Sequence, residues 1–140
     1  MDPWPMIEAD RRALGDYLSG LSADEWNRPS LCSGWTVADV AAHMLVVPTL
    51  SKGSTFLAFL GSGFYLTKFS DNMVRRIRAE KSPAQLAAAM SEAASSQNVP
   101  LGLNPMGVLV ETLVPSGDIS EGAGRPLAFP ANHYAVGLDH

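Results

Sequence analysis

Residues 30–45 constrain the fold more than any other stretch of the sequence, because they specify where a buried helix begins. Thr36 is a good N-cap residue, and Asp39 follows it at the three-residue spacing of a capping box. Trp35, just before the cap, and Val40, at the fourth helical position, have the spacing of a hydrophobic staple. The sequence therefore specifies the start of this helix twice, directly after Thr36.

A histidine lies within the apolar stripe of this helix. Val37, Val40, Met44 and Val47 recur at helical spacing and predict the buried face. His43 comes three residues after Val40 and four before Val47, so we expect its ring to point into the core. A buried imidazole needs a hydrogen-bond partner or a ligand, which makes His43 the first candidate functional residue.

The rest of the chain also predicts helices joined by short breaks. Each is indicated by apolar residues at helical spacing, by an N-cap residue or by a proline at the first helical position. Val and Ile are not gathered into alternating runs, which argues against strands. The expected fold class is therefore all-α, an antiparallel bundle. The predicted helices cover 6–21, 22–26, 37 to about 60 with a kink at Pro48, 64–80, 82–95, 104–114 and 130–140.

Length and composition limit the domain count, the location and the partners. The 140 residues are expected to form a single domain, and the net charge of −4 argues against a nucleic-acid partner. No apolar run approaches the length of a membrane span, and the first residues lack the features of a signal peptide. The single cysteine, Cys32, excludes an internal disulfide and favours a reducing compartment. We therefore expect a cytoplasmic monomer or homodimer with no membrane partner.

A glutamate on the last predicted core helix is the second candidate. Glu111 lies three residues after Val108 and three before Val114, so it borders an apolar face. A core carboxylate is costly unless it is paired or bound to a metal, and facing helices of a bundle build metal sites from such residues. Two interpretations of His43 and Glu111 remain open. They form either a divalent-metal site or a neutral histidine hydrogen-bonded to a carboxylate without a ligand.

The segment SLCSGWTVADVAAHM at residues 30–44 resembles the signature of a known family, the mycothiol-dependent maleylpyruvate isomerase N-terminal family. Residues 10–14, 21–29, 82–86 and 111–114 are similar to further segments of that family, so the resemblance covers nearly the whole chain. It implies a DinB-like antiparallel four-helix bundle with short extra helices.

The resemblance also implies a metal site. In that family a divalent metal, typically zinc, is bound by a histidine of the second helix and by a Glu-x-x-x-His pair on the last core helix. His43 matches the first ligand and Glu111 the second, but the third position is Pro115, which cannot bind a metal. Asp118 or His133 is a replacement candidate. The site predicted from the resemblance is therefore His43, Glu111 and Asp118, one family ligand short.

The function implied by the resemblance is thiol chemistry. The metal would bind a low-molecular-weight thiol such as mycothiol, whose thiolate would add to an electrophilic small molecule, as in an isomerase or a thiol transferase. Many members of the family continue into a second small domain, which we expect this chain to lack. The alternative is a non-catalytic binding or dimerisation module that has lost the metal site.

Pro115 also affects the predicted helix. It removes a backbone donor and would clash with the carbonyl of Glu111, so we expect the helix to fray or end near Val114. We expect an irregular tail to follow, with Asp118 and His133 in it.

Two further features have an ordinary explanation beside a functional one. Cys32 is either a reactive thiol or a small buried side chain under the loop. Basic residues on the predicted helix 64–80 and just after it either hold an anionic substrate or face solvent: Lys68, Arg75, Arg76, Arg78 and Lys81.

Overall fold

The computed structural model describes residues 1–32, 34–49, 66–100 and 102–138, and the regular structure in these ranges is helical. They contain one isolated β-bridge, between Pro29 and Thr36, and no strand. No helix within them is long and apolar enough to cross a membrane. The predicted all-α class is confirmed. In chain order the helices of these ranges are α1 (Trp4–Ser19), α2 (Ala23–Trp26), α3 (Val37–Met44), α4 (Val46–Thr49), α5 (Leu66–Glu80), α6 (Pro83–Glu92), α7 (Pro105–Ala123) and α8 (Ala131–Leu138).

The capping residues define the helix starts as the sequence predicts. The Thr36 hydroxyl accepts the Asp39 N–H at 3.3 Å, and the Asp39 carboxylate accepts the Thr36 N–H at 3.0 Å. Such a reciprocal box satisfies two backbone donors that a helix start leaves unpaired. The same arrangement begins α2 and α6, and the Asn104 side chain caps α7.

In the bundle α7 packs against both α1 and α3. α1 also packs against α6, and α3 also packs against α5. The main core lies among these helices and includes fully buried side chains such as Leu14, Val37 and Leu86. Each such side chain contributes about 1.5–3 kcal/mol to folding. A second core cluster is formed by α1, α7 and the segment before α8: Ile7, Val108, Leu109, Leu113 and Phe129.

The helix predicted from 37 to about 60 is interrupted earlier than expected. α3 ends at Met44 and a new short helix, α4, begins at Val46. Pro48 explains the break, because it has no N–H for the carbonyl of Met44 and its ring would clash with that carbonyl. The predicted continuation to 60, the glycine-rich break at 61–63 and the first two residues of the helix predicted at 64–80 lie outside the described residues.

α7 continues through Pro115 and ends at Ala123, so the predicted fraying near Val114 and the irregular tail after it are wrong. A proline inside a helix removes one hydrogen bond and crowds the preceding turn, at a cost of about 3 kcal/mol. The lost bond here is the one that would join residue 115 to the carbonyl of Glu111.

The residues beyond the proline explain why α7 tolerates it. Ile119 and Ala123 have no exposed surface and belong to the main core. Gly124 then ends the helix in the left-handed conformation, at φ 71°, with its N–H bonded to the carbonyl of Ser120. The burial and capping of two further turns outweigh the missing bond.

Substitution of two helical glycines by alanine should change the stability of the protein in opposite directions. A Cβ on Gly15 of α1 would lie 2.1 Å from Ser91 Oγ and 3.2 Å from the Ser91 backbone nitrogen, whereas a Cβ on Gly117 of α7 would meet nothing within 4 Å. Gly15→Ala should therefore destabilise the protein by about 1–3 kcal/mol through overpacking. Gly117→Ala should stabilise it by about 0.5–1 kcal/mol, because glycine is a poor helix residue.

The measurement is the denaturant midpoint at unchanged slope. Equal effects of the two substitutions would show that α1 and α6 do not approach closely at Gly15.

Candidate functional site

His43 lies on α3 with a half-buried ring. Within the described ranges its buried Nδ1 has no hydrogen-bond partner, and no other side-chain nitrogen or oxygen there is both buried and unpartnered. Burial lowers the pKa of His43 below its ordinary value of 6.5, and the charge of Glu111 opposes that shift. The ring is therefore held in the neutral form, which is the form that binds metals.

Trp35 forms one wall beside this imidazole. The two ring centroids lie 5.3 Å apart, with the planes tilted by 45°. The indole Nε1–H donates to Asp71 Oδ1 of α5 at 3.0 Å. Trp35 also packs against the main core. One side chain therefore joins the loop before α3 to α5 and shields one side of His43.

Glu111 lies on the exposed face of α7, so its predicted burial is wrong. Val114, on the same face, is 61% exposed. α7 nevertheless packs against α3, which carries His43. The charge of Glu111 raises the pKa of His43, in opposition to the lowering by burial. The two predicted donors therefore lie within electrostatic range of each other, one partly buried and the other at the surface.

Asp118 lies on α7 rather than in an irregular tail, and it is bonded to the loop before α3. Its Oδ2 accepts the Cys32 S–H at 3.2 Å. Burial, this hydrogen bond and the charge of the carboxylate raise the pKa of the Cys32 thiol to about 11. Cys32 is thus a protonated thiol at neutral pH, which favours its structural interpretation over that of a reactive nucleophile.

His133, the other replacement candidate, is held by a different partner. It lies on α8 and is 8% exposed, and its Nδ1 lies 2.8 and 2.9 Å from the two carboxylate oxygens of Asp10. Asp10, on α1, is 1% exposed. Neither residue carried a sequence signal for this pairing, since 123 positions separate them.

The donor set tests whether these residues fit a metal. His43 supplies an imidazole with an unpartnered nitrogen, and Glu111 supplies a carboxylate nearby. Both are zinc ligands by type. Within the described ranges, however, no group of three or more His, Cys, Asp or Glu residues could hold a metal ion. The residues therefore fit two donors of a metal site, and they do not fit the three-ligand site of the resembling family.

Charged residues of α5 line the far side of Trp35. A cleft of about 310 Å³ opens there, lined by Gly34, Trp35, Asp39, Asp71, Val74 and Arg75. Arg78 Nε lies 3.2 Å from Asp39 Oδ1, and Arg76 pairs with Glu80 within α5. Two of the predicted basic residues, Arg76 and Arg78, are therefore paired with carboxylates. The cleft itself, and the role of Asp71, had no signal in the sequence.

One comparison with known proteins finds a match. The family model described as the mycothiol maleylpyruvate isomerase N-terminal domain matches residues 7–118. This range contains His43, Glu111 and Asp118 and ends before α8. No curated protein and no solved structure matches the chain.

The opposing influences on His43 predict the effect of removing one charge. In Glu111→Gln the pKa of His43 should fall further, because burial remains and the carboxylate that opposes it is gone. Glu121→Gln, an exposed change on the same helix, is the matched control and should leave the pKa unchanged. The readout is the pH titration of the His43 imidazole by NMR in metal-free protein. Equal shifts in both variants would show that Glu111 is not near the ring.

The bond between Cys32 and Asp118 predicts a change in thiol reactivity. Asp118→Asn should lower the thiol pKa from about 11, because the substitution removes the carboxylate that disfavours the thiolate. The rate of alkylation as a function of pH reports this directly, since Cys32 is the only cysteine. An unchanged rate profile would mean that burial alone sets the pKa.

Proposed function

Since this chain belongs to the mycothiol maleylpyruvate isomerase N-terminal domain family, we propose that it binds a divalent metal, preferably zinc, through His43 and Glu111. The observation that carries the proposal is the buried Nδ1 of His43, which has no hydrogen-bond partner among the residues that the structure describes. An unsatisfied buried polar atom costs about 1–3 kcal/mol, so such a ring favours any ligand that engages it.

When bound, the metal would lower the pKa of a coordinated thiol such as mycothiol, so that the thiolate forms at neutral pH for attack on an electrophilic small molecule. The protein contributes the surroundings. Trp35 covers one side of the imidazole, and the lowered pKa keeps His43 neutral and ready to donate an electron pair. Glu111 faces solvent at the surface of α7, where a small-molecule thiol can approach.

We propose that the site is partial and binds metal modestly. Pro115 occupies the position of the family's third ligand, and Asp118 accepts a hydrogen bond from the Cys32 thiol. That hydrogen bond engages Asp118 Oδ2, so Asp118 would act as a third donor through Oδ1. Catalytic zinc sites have three protein ligands and one open position. With only two protein donors, this site would leave two positions to water or thiol.

The second candidate function is a non-catalytic binding or dimerisation module that has lost the metal site. It is favoured by the absence of a three-donor group in the described ranges and by a helix that accommodates Pro115 without loss of fold. Metal analysis of protein purified without an affinity tag separates the two candidates, because only the first retains zinc.

Pro115→His tests the missing ligand directly. The substitution restores a backbone donor to the carbonyl of Glu111 and supplies an imidazole four residues after that carboxylate, on the same side of α7. Zinc affinity, measured by competition with a chelator, should increase at least about tenfold, equivalent to about 1.4 kcal/mol.

The matched control is Pro115→Ala, which restores the backbone donor without adding a ligand and should leave the affinity unchanged. Tight and equal binding in all three proteins would mean that another residue already fills the third position. The absence of binding in the parent and in Pro115→His would refute the metal proposal and leave the non-catalytic module.

A further inference from the structure

The contact between α8 and the rest of the bundle has one polar component. His133 on α8 and Asp10 on α1 form a buried pair, with Nδ1 within 2.9 Å of both carboxylate oxygens. In the part of the chain that the structure describes, this is the one side-chain hydrogen bond that joins α8 to another helix. The family match ends at residue 118, so α8 lies beyond it.

The remaining contact is apolar and closely fitted. α8 packs against α7, and Val136 packs against the second core cluster. A Cβ on Gly137 would lie 3.3 Å from Leu113 Cδ1 and 3.6 Å from Val110 Cγ2. α8 and α7 therefore approach closely at Gly137, and this contact fixes the position of the docked α8.

The Asp10–His133 pair stabilises the docked α8 only while both partners are present. Removing one partner of a buried hydrogen-bonded pair leaves the other polar group buried and unsatisfied, which costs far more than the loss of an exposed hydrogen bond. Burial raises the pKa of Asp10, and the contact with His133 opposes this shift. The neighbouring cation on α1, Arg11, donates instead to the carbonyl of Ser96. The Asp10 carboxylate therefore depends on His133 of α8 to offset the cost of its burial.

We propose that the Asp10–His133 pair is a latch that docks α8 onto α1 and α7. Breaking the pair releases α8 as a unit, while the bundle formed by α1, α3, α5, α6 and α7 stays folded. Release uncovers the second core cluster. The Asp10–His133 pair therefore decides whether α8 is docked on the bundle or released from it.

The test is amide hydrogen exchange of the full chain at neutral pH, read helix by helix. His133→Gln removes the imidazole that lies against both oxygens of the Asp10 carboxylate. In this variant exchange in α8 should accelerate at least about tenfold, with exchange in α3 and α7 unchanged. Ala135→Ser, an exposed substitution in the same helix, is the matched control and should leave α8 protected.

Two further variants keep the proposal falsifiable. The double variant Asp10→Asn with His133→Gln replaces the pair with two neutral amides, which can hydrogen-bond to each other, and should restore most of the protection of α8. Gly137→Ala crowds only the flexible end of Leu113 and leaves the Asp10–His133 pair intact, so α8 should stay protected. Unchanged exchange in His133→Gln would overturn the latch. Acceleration in every helix would also overturn it, because the pair would then support the whole fold.

Discussion

The reciprocal hydrogen bonds between Thr36 and Asp39 fix the start of α3, and the positions of the candidate site residues depend on that start. Asp39 has a second role, because its other carboxylate oxygen pairs with Arg78 of α5. The same start directs Trp35 toward Asp71 and sets its ring against His43. A single capped turn therefore positions the imidazole, shields it and joins α3 to a neighbouring helix.

The fold is predictable from sequence wherever the signal is local. Capping residues identify the starts of α2, α3, α6 and α7, because the partners lie within three residues of each other. The two internal prolines show the limit of local rules. Pro48 lies in the short helix α4, just after the break at Leu45, whereas Pro115 lies within the continuous helix α7, although each removes one backbone donor. Tertiary burial supports the continuous α7, since the turns after Pro115 bury Ile119 and Ala123, and no local sequence pattern reports that gain.

The candidate site was predictable in part for a related reason. His43 follows from helical spacing, but the same spacing placed Glu111 in the core by treating Val114 as a buried position. Val114 faces solvent, so the stripe that Glu111 was expected to border does not extend that far. The contacts to Asp71 and Asp118 were also missed, because their partners come from distant parts of the chain and periodicity carries no information about them.

Two histidines are partly or fully buried in the part of the chain that the structure describes, and their hydrogen bonding differs. His133 has both oxygens of a buried carboxylate at its Nδ1, so its polar requirement is met within the fold. The Nδ1 of His43 has no such partner, although burial there makes a missing bond expensive. A fold that can satisfy one buried imidazole with a carboxylate 123 residues away has a means of satisfying the other. That the second stays unsatisfied, beside the charge of Glu111, is the physical argument for a ligand at His43 rather than for a structural role.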